Sequence, residues 1–241
     1  MTDKPQIIIG VPGKWESRTA LVQAIAGQSG GLIFAGRILM DTKTQQSWEM
    51  EIYEYDPGLQ NAFRLAGRGS VTDAELDAIA AHTCTAYVIG EGGSTEAAQS
   101  ILGAASGLLR AGGLAVKVES TGKAHSKQDW YAFDADPSLR ALYDAFVILI
   151  GGDSGGYSCG MHNLGLPDAA QDAALSDEDG AQLLQTFLLY TLLEKPDLRS
   201  GHSFSLNPQS PHYRLKLEPC SLYEKSDPFF NPYGVWRLEP M

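Results

Sequence analysis

The residues that could do chemistry gather in two runs. The first, Glu119-Ser120-Thr121-Gly122-Lys123-Ala124-His125-Ser126, brings a carboxylate, hydroxyls, an amine and an imidazole together, with Trp130 close behind. An imidazole titrates near neutral pH, so His125 could serve as a general base if Glu119 oriented it. The competing reading makes Ser126 the cap of a short helix and leaves His125 on the surface. The second run is Cys159-Gly160-Met161-His162-Asn163-Leu164-Gly165-Leu166-Pro167-Asp168. Cys159 and His162 have a spacing seen in metal sites, with His202 and His212 downstream, and a thiol beside an imidazole also suits a nucleophile. Zinc needs three or four converging ligands, however, and no second CxxH or CxxC element is present. A buried cysteine and a hydrogen-bonded turn histidine account for the same residues, so no metal and no cofactor is expected.

Two further strings are weaker. Gly152-Asp153-Ser154-Gly155-Gly156 matches the surroundings of the nucleophile in trypsin-like proteases, and Ala80-Ala81-His82-Thr83-Cys84 loosely echoes their histidine stretch. That fold is two antiparallel barrels with few helices, whereas His82 here follows a helical segment and too little chain separates it from Ser154. The glycines are read as a turn and the protease reading is rejected. Gly90-Glu91-Gly92-Gly93-Ser94-Thr95 stands between a strand and a helix, where backbone amides could hold an anion. No lysine follows the glycines and Glu91 would repel a phosphate, so a tight turn ending in a Ser or Thr cap is the simpler account.

The elements that must position these residues follow from periodicity. Gln6 to Val11 reads as a buried strand and Ser17 to Gln28 as a helix capped by Ser17. Leu32 to Leu39 and Trp48 to Tyr55 read as strands. In the second, Trp48, Met50 and Ile52 alternate with Glu49, Glu51 and Tyr53 as a half-buried antiparallel strand should. Thr72-Asp73-Ala74-Glu75 is a capping-box pattern that starts a helix to Ala81. Ala86 to Gly90, Ser94 to Ala111 and Leu114 to Val118 form a strand–helix–strand unit. Strands at Phe146 to Ile150, Tyr157 to His162, Ser203 to Leu206 and Tyr213 to Leu217 flank a helix at Asp177 to Leu193. The aromatic stretch Phe229 to Leu238 is expected to dock a last strand on the core.

This rhythm predicts an α+β fold of two packed α/β sandwich-like halves with mixed sheets, residues 1–120 and 137–241. Residues 121–136 would be a polar junction. The halves are either a divergent duplication or parts of one compact domain. With 241 residues, 44% hydrophobic and 20% charged, the chain can bury a substantial core. A net charge of -11 argues against nucleic acid and against anionic membranes, both of which need a basic face. No signal-peptide pattern opens the chain, no apolar run could span a bilayer, and three widely spaced cysteines make no disulfide framework. A reduced cytoplasmic protein is expected.

Val11-Pro12-Gly13-Lys14-Trp15, the Lys117 to Trp130 segment, the Gly160 to Asp168 run and Leu198 to Phe204 together resemble an uncharacterised bacterial family of the domain-of-unknown-function type. The resemblance covers most of the chain in order. It implies a cytoplasmic bacterial α+β protein and brings no catalytic residue or cofactor with it. Proteins of that family can be found beside genes of interbacterial toxin systems, so the resemblance implies an immunity or accessory role. The expected function is therefore non-enzymatic binding of a basic protein partner such as a secreted toxin. Candidate binding residues are Glu119, His125, Ser126, Trp130, His162, Asn163 and Asp168, with Glu49 and Glu51 as an acidic face. A small-molecule hydrolase or transferase is the alternative, with His125–Glu119 as acid–base pair and His162–Asp168 as orienting pair in a cleft between the halves. A metal-binding module is the third reading.

Overall fold

The β-branched run at Ile7–Ile9 opens the strand around which the first sheet is built. The computed structural model describes residues 4–152, 155–172 and 175–241, so Asp153 and Ser154 of the glycine-rich string lie outside the described residues. Strand β1 (Gln6–Gly13) pairs antiparallel with β5 (Cys84–Glu91) along its whole length and with β6 (Ala115–Val118) on its other side. The sheet order is β2-β3-β4-β5-β1-β6-β7, with β2 Leu32–Ala35, β3 Ile38–Asp41, β4 Ser47–Glu54 and β7 Lys123–Ser126. The strand–helix–strand unit exists, but β1 lies between its two strands. Helix α4 (Thr95–Arg110) crosses over the sheet to join them.

The caps form where their residue types allow. Ser17 accepts from the Ala20 amide (3.1 Å) at the start of α1 (Arg18–Gln28), and Ser94 does the same for Ala97 (3.1 Å) in α4. Thr72 and Glu75 make the complete capping box of α3 (Asp73–Ala80). Two short elements were hidden. The expected strand from Leu32 to Leu39 is a hairpin, because Gly36 (φ 60°) turns the chain and pairs Ala35 with Ile38. Helix α2 (Leu59–Gly67) precedes α3, and the pair packs on the outer side of β6 and β7 through Leu59, Phe63 and Ile79 against Ala115 and Ala124.

Residues 121–136 build structure instead of a linker. They form β7 and α5 (Lys127–Ala135), and Trp130 is fully buried with its indole N–H on Leu102 O (3.2 Å). Phe146 ends α6 (Leu139–Phe146), and only Ile148–Ile150 forms the following strand, β8. β9 (Gly155–Cys159) stops short of His162, because Gly160 turns the chain into a 3-10 turn at Met161–Leu164. With β10 (Asp168–Asp172), β11 (Ser203–Phe204), β12 (Tyr213–Glu218) and β13 (Val235–Pro240), these strands make a second sheet in the order β11-β12-β13-β10-β9-β8. Its β10–β13 pair is parallel; every pair of the first sheet is antiparallel.

The fold is therefore α+β with two sheets. One hydrophobic cluster joins them: Ile7, Ile9, Val11 and Val88 of the first sheet share it with Leu215, Trp236 and Leu238 of the second. Ile101, Leu102 and Phe146 lie in the same cluster, as does Phe187 of α7 (Asp177–Glu194). Helices between two sheets bury an apolar face from each, which makes one core of the two halves. Among the described residues, no helix is long and apolar enough to cross a membrane.

Candidate functional site

The Gly160 to Asp168 run is a plug between the two sheets. Gly160 (φ 119°, ψ -11°) points the 3-10 turn inward, against α4 and α6. The Asp168 carboxylate then holds the turn. It accepts from Ser158 Oγ (2.8 Å), from the Met161 amide (3.2 Å) and from Asn231 Nδ2 (2.6 Å). Asn231 also donates to Leu166 O (3.0 Å), and Ser158 accepts from the Ala169 amide (2.9 Å). On the other side Asn163 ties the plug to the first sheet: its carbonyl takes the Gly93 amide (3.1 Å) and its Oδ1 takes Ser120 Oγ (3.2 Å). A buried carboxylate with three donors is a satisfied structural group.

His162 is fully enclosed in this plug, and its Nδ1 lies 4.0 Å from Asp168 Oδ2, beyond hydrogen-bond reach. Neither ring nitrogen has a protein hydrogen-bond partner among the described residues. The expected His162–Asp168 orienting hydrogen bond does not form; the carboxylate takes its donors from Ser158, Met161 and Asn231. Cys159 is buried, and desolvation, then the nearby Asp168 charge, push its thiol pKa up, which works against a nucleophilic thiolate. Among the described residues, no group of three or more His, Cys, Asp or Glu could hold a metal ion. His202 and His212 are exposed, away from the buried plug.

Lys123 and His125 belong to a different place. Alternation along β7 puts both on the inner face, opposite Val118 and Val116. They line a cleft of about 460 Å³ where the edge strand β7 of the first sheet meets the edge strand β8 of the second. Arg68, Asp129, Phe133, Tyr143 and Asp144 line it too. His125 is buried against Trp130 (5.6 Å between ring centroids) and Phe133 (5.2 Å), with Nε2 2.9 Å from Ala145 O. A carbonyl can only accept, so Nε2 carries the proton and Nδ1 is bare. Ser126 caps α5 by accepting from the Asp129 amide (3.0 Å), as the competing reading expects, but His125 is buried and not on the surface as that reading has it. Glu119 is elsewhere: it pairs with Lys117 and faces Gly10, so it does not orient His125. Neither Glu119, His162 nor Asp168 lines the His125 cleft, and the four-residue acid–base constellation is not assembled.

Burial pushes the His125 pKa from 6.5 down to about 3, the Lys123 charge adding to it and the Ala145 carbonyl opposing. The folded ring stays neutral where the unfolded chain protonates it, so stability is lost as pH falls from about 6.5 toward about 3. Between about pH 7 and about pH 5 the wild type should lose about 2 kcal/mol more than a His125→Gln variant. Urea-unfolding free energies at the two pH values measure this; equal losses would contradict the assignment.

The Glu49–Glu51 face is real but internally bridged. Arg37, displayed by the β2–β3 turn, forms ion pairs with both carboxylates. Tyr53 Oη donates to Glu51 (3.1 Å) and its ring meets Tyr87 edge-on at 5.2 Å. These side chains stand on the outer face of the first sheet, away from α1 and α4. Register places Ile38 beside Glu49, Glu49 beside Ile89, and Glu51 beside Tyr87. Among the described residues, helices α2 and α3 pack on the β6–β7 end of that face. Ile38 (51% exposed) and Tyr53 (57%) are left in solvent, with Ile33 and Tyr55 also exposed.

His82 completes the account of the protease echo. Its Nδ1 donates to Ile79 O (2.7 Å), its Nε2 accepts from the Asp56 amide (3.1 Å), and its ring lies tilted against Tyr55, 4.9 Å between centroids. Both nitrogens are spent on the backbone. Arg37, Arg68, Lys123, Ser158 and Asn231 are the site residues that motif reading passed over as ligands or positioners. For Lys123 the signal was present, since period-two alternation with His125 in a strand shares one face. Comparison of the chain with known protein families, with curated proteins and with solved structures finds no match.

Proposed function

We propose that this chain is a non-enzymatic, cytoplasmic binding protein of the bacterial immunity or accessory type, which engages a basic protein partner through the outer face of its first sheet. The observation that carries this reading is the uncovered surface of β2–β5, where Ile33, Ile38, Tyr53 and Tyr55 are exposed around Glu49 and Glu51. Exposed apolar and aromatic side chains beside carboxylates are what a protein interface offers, aromatic contact giving affinity and charge giving partner choice. The net charge of -11 favours a cationic partner by steering its approach. The resemblance in the sequence to a family sometimes found beside toxin genes is in keeping with this reading. The dispersal of Glu119, His125, His162 and Asp168 supports a non-enzymatic role.

The test is co-expression with the products of neighbouring genes and affinity isolation. A basic partner should co-purify in proportion. Ile38→Asp combined with Tyr53→Ala should weaken it at least ~100-fold, the range expected for central interface anchors. Leu193→Asp, an exposed position on α7, should leave it unchanged. Absence of any partner, or a partner indifferent to Ile38 and Tyr53, would overturn the reading.

A further inference from the structure

Lys123 occupies an unusual position for a lysine. Its stem runs along the inner face of an edge strand, and its Nζ donates to the carbonyls of Asp144 and Val147 (2.9 Å to the latter) at the end of α6. Among the described residues it makes no ion pair with a carboxylate. The nearest acid on that helix, Asp144, is held by Arg140 at 2.7 Å. Satisfying the free carbonyls of a helix end is one use of this amine. It does not explain why the same amine lines a cleft of about 460 Å³, a size within the range of small-molecule sites. Lys127 supplies the comparison: it also donates to carbonyls at and just past a helix end, Leu109 O (2.8 Å) and Gly113 O (3.3 Å), and does not line that cleft.

We propose that Lys123 is a covalent capture site for small aldehydes or ketones, which enter the cleft between β7 and β8 and form an imine on Nζ. A neutral amine has two N–H groups and one lone pair. The Asp144 and Val147 carbonyls take the two N–H groups, which leaves the lone pair as the free valence. Attack on the carbonyl carbon forms the C–N bond as one amine proton passes to the oxygen. Loss of that oxygen as water, with the second amine proton, gives the imine, with no change of oxidation level. The groups around the amine are Arg68 from the end of α2, His125 on β7, Asp129 on α5, and Tyr143, Asp144 and Arg140 on α6. Burial, reinforced by the two arginines and opposed by Asp144, brings the Lys123 pKa down to about 8, so about a fifth of the amine is neutral near physiological pH. The capture site is separate from the partner-binding face, and either can fail without the other.

The experiment uses wild-type protein, so it does not depend on a variant folding. Propanal and cyanoborohydride are added between about pH 6 and about pH 10, and the nine lysines are followed by peptide mapping. The hydride traps each imine as a stable secondary amine. Lys123 should be alkylated at least ~10-fold faster than Lys127 and the surface lysines at about pH 7.5, with a rate midpoint near 8. Lys123 reacting no faster than Lys127, or with a midpoint above ~10, would overturn the proposal.

Discussion

Asp168→Ala should lower the unfolding free energy by about 2–4 kcal/mol. The substitution removes the acceptor of three buried donors, the Ser158 hydroxyl, the Met161 amide and the Asn231 amide group. Each buried donor left unpaired costs about 1–3 kcal/mol, and relief from burying the carboxylate offsets part of the sum. Asp168→Asn keeps the shape and one acceptor oxygen but sets its NH₂ against that of Asn231, so about half the loss is expected. Urea titration with an unchanged m-value reads both. A loss under about 1 kcal/mol for Asp168→Ala would mean that the carboxylate does not hold the plug.

Gly160→Ala should cost about 4 kcal/mol or more and leave little soluble folded protein. At φ 119° a side chain is strained whatever space it has, and here it has none. A Cβ at this position would lie 2.1 Å from Phe146 O and 2.7 Å from Thr121 Cγ2. The first is backbone at the end of α6 and cannot swing aside, so the turn and helix would have to separate. Because the same turn joins Asn163 to Gly93 and Ser120, that separation would loosen the contact between the two sheets. Soluble yield and thermal midpoint measure the effect. A variant with wild-type stability would refute the plug as the point where the sheets are fastened.

The parts of this fold that local chemistry decides were legible in the sequence. The isoleucine run of β1, the Ser17 cap, the capping box at Thr72 and Glu75, and the alternation of β4 all reappear as read. Others carried a signal that was easily missed. Leu32 and Phe34 are buried at even positions and Leu39 at an odd one, a change of parity that a two-residue turn at Gly36 requires. Leu139, Leu142, Tyr143 and Phe146 have helical spacing, yet Phe146 is also continuous with the apolar run that becomes β8. β10, Asp-Ala-Ala-Gln-Asp, has no strand signature, since small and polar residues fill a position between two paired neighbours.

The site divides in the same way. Ser126 as a helix cap could be read from its type and place. That Asp168 would serve Asn231, and that Ala145 rather than Glu119 would take the His125 proton, depends on contacts between residues far apart in the chain. Motif spacing grouped His125 with Glu119 and His162 with Asp168. The strand register separates the first pair, and the turn at Gly160 leaves His162 4.0 Å from Asp168, which takes its donors from Ser158, Met161 and Asn231 instead.

The central functional claim is that the outer face of the first sheet is where a partner sits. Hydroxyl-radical labelling of the isolated complex against the free chain tests it most directly, because Ile33, Ile38, Tyr53 and Tyr55 are all reactive and all exposed. These four should be protected at least ~5-fold in the complex, while Tyr190 and Leu193 on α7 keep their free-chain reactivity, as burial in an interface core demands. Protection on α7 with Ile38 and Tyr53 unchanged would place the partner elsewhere and contradict the account.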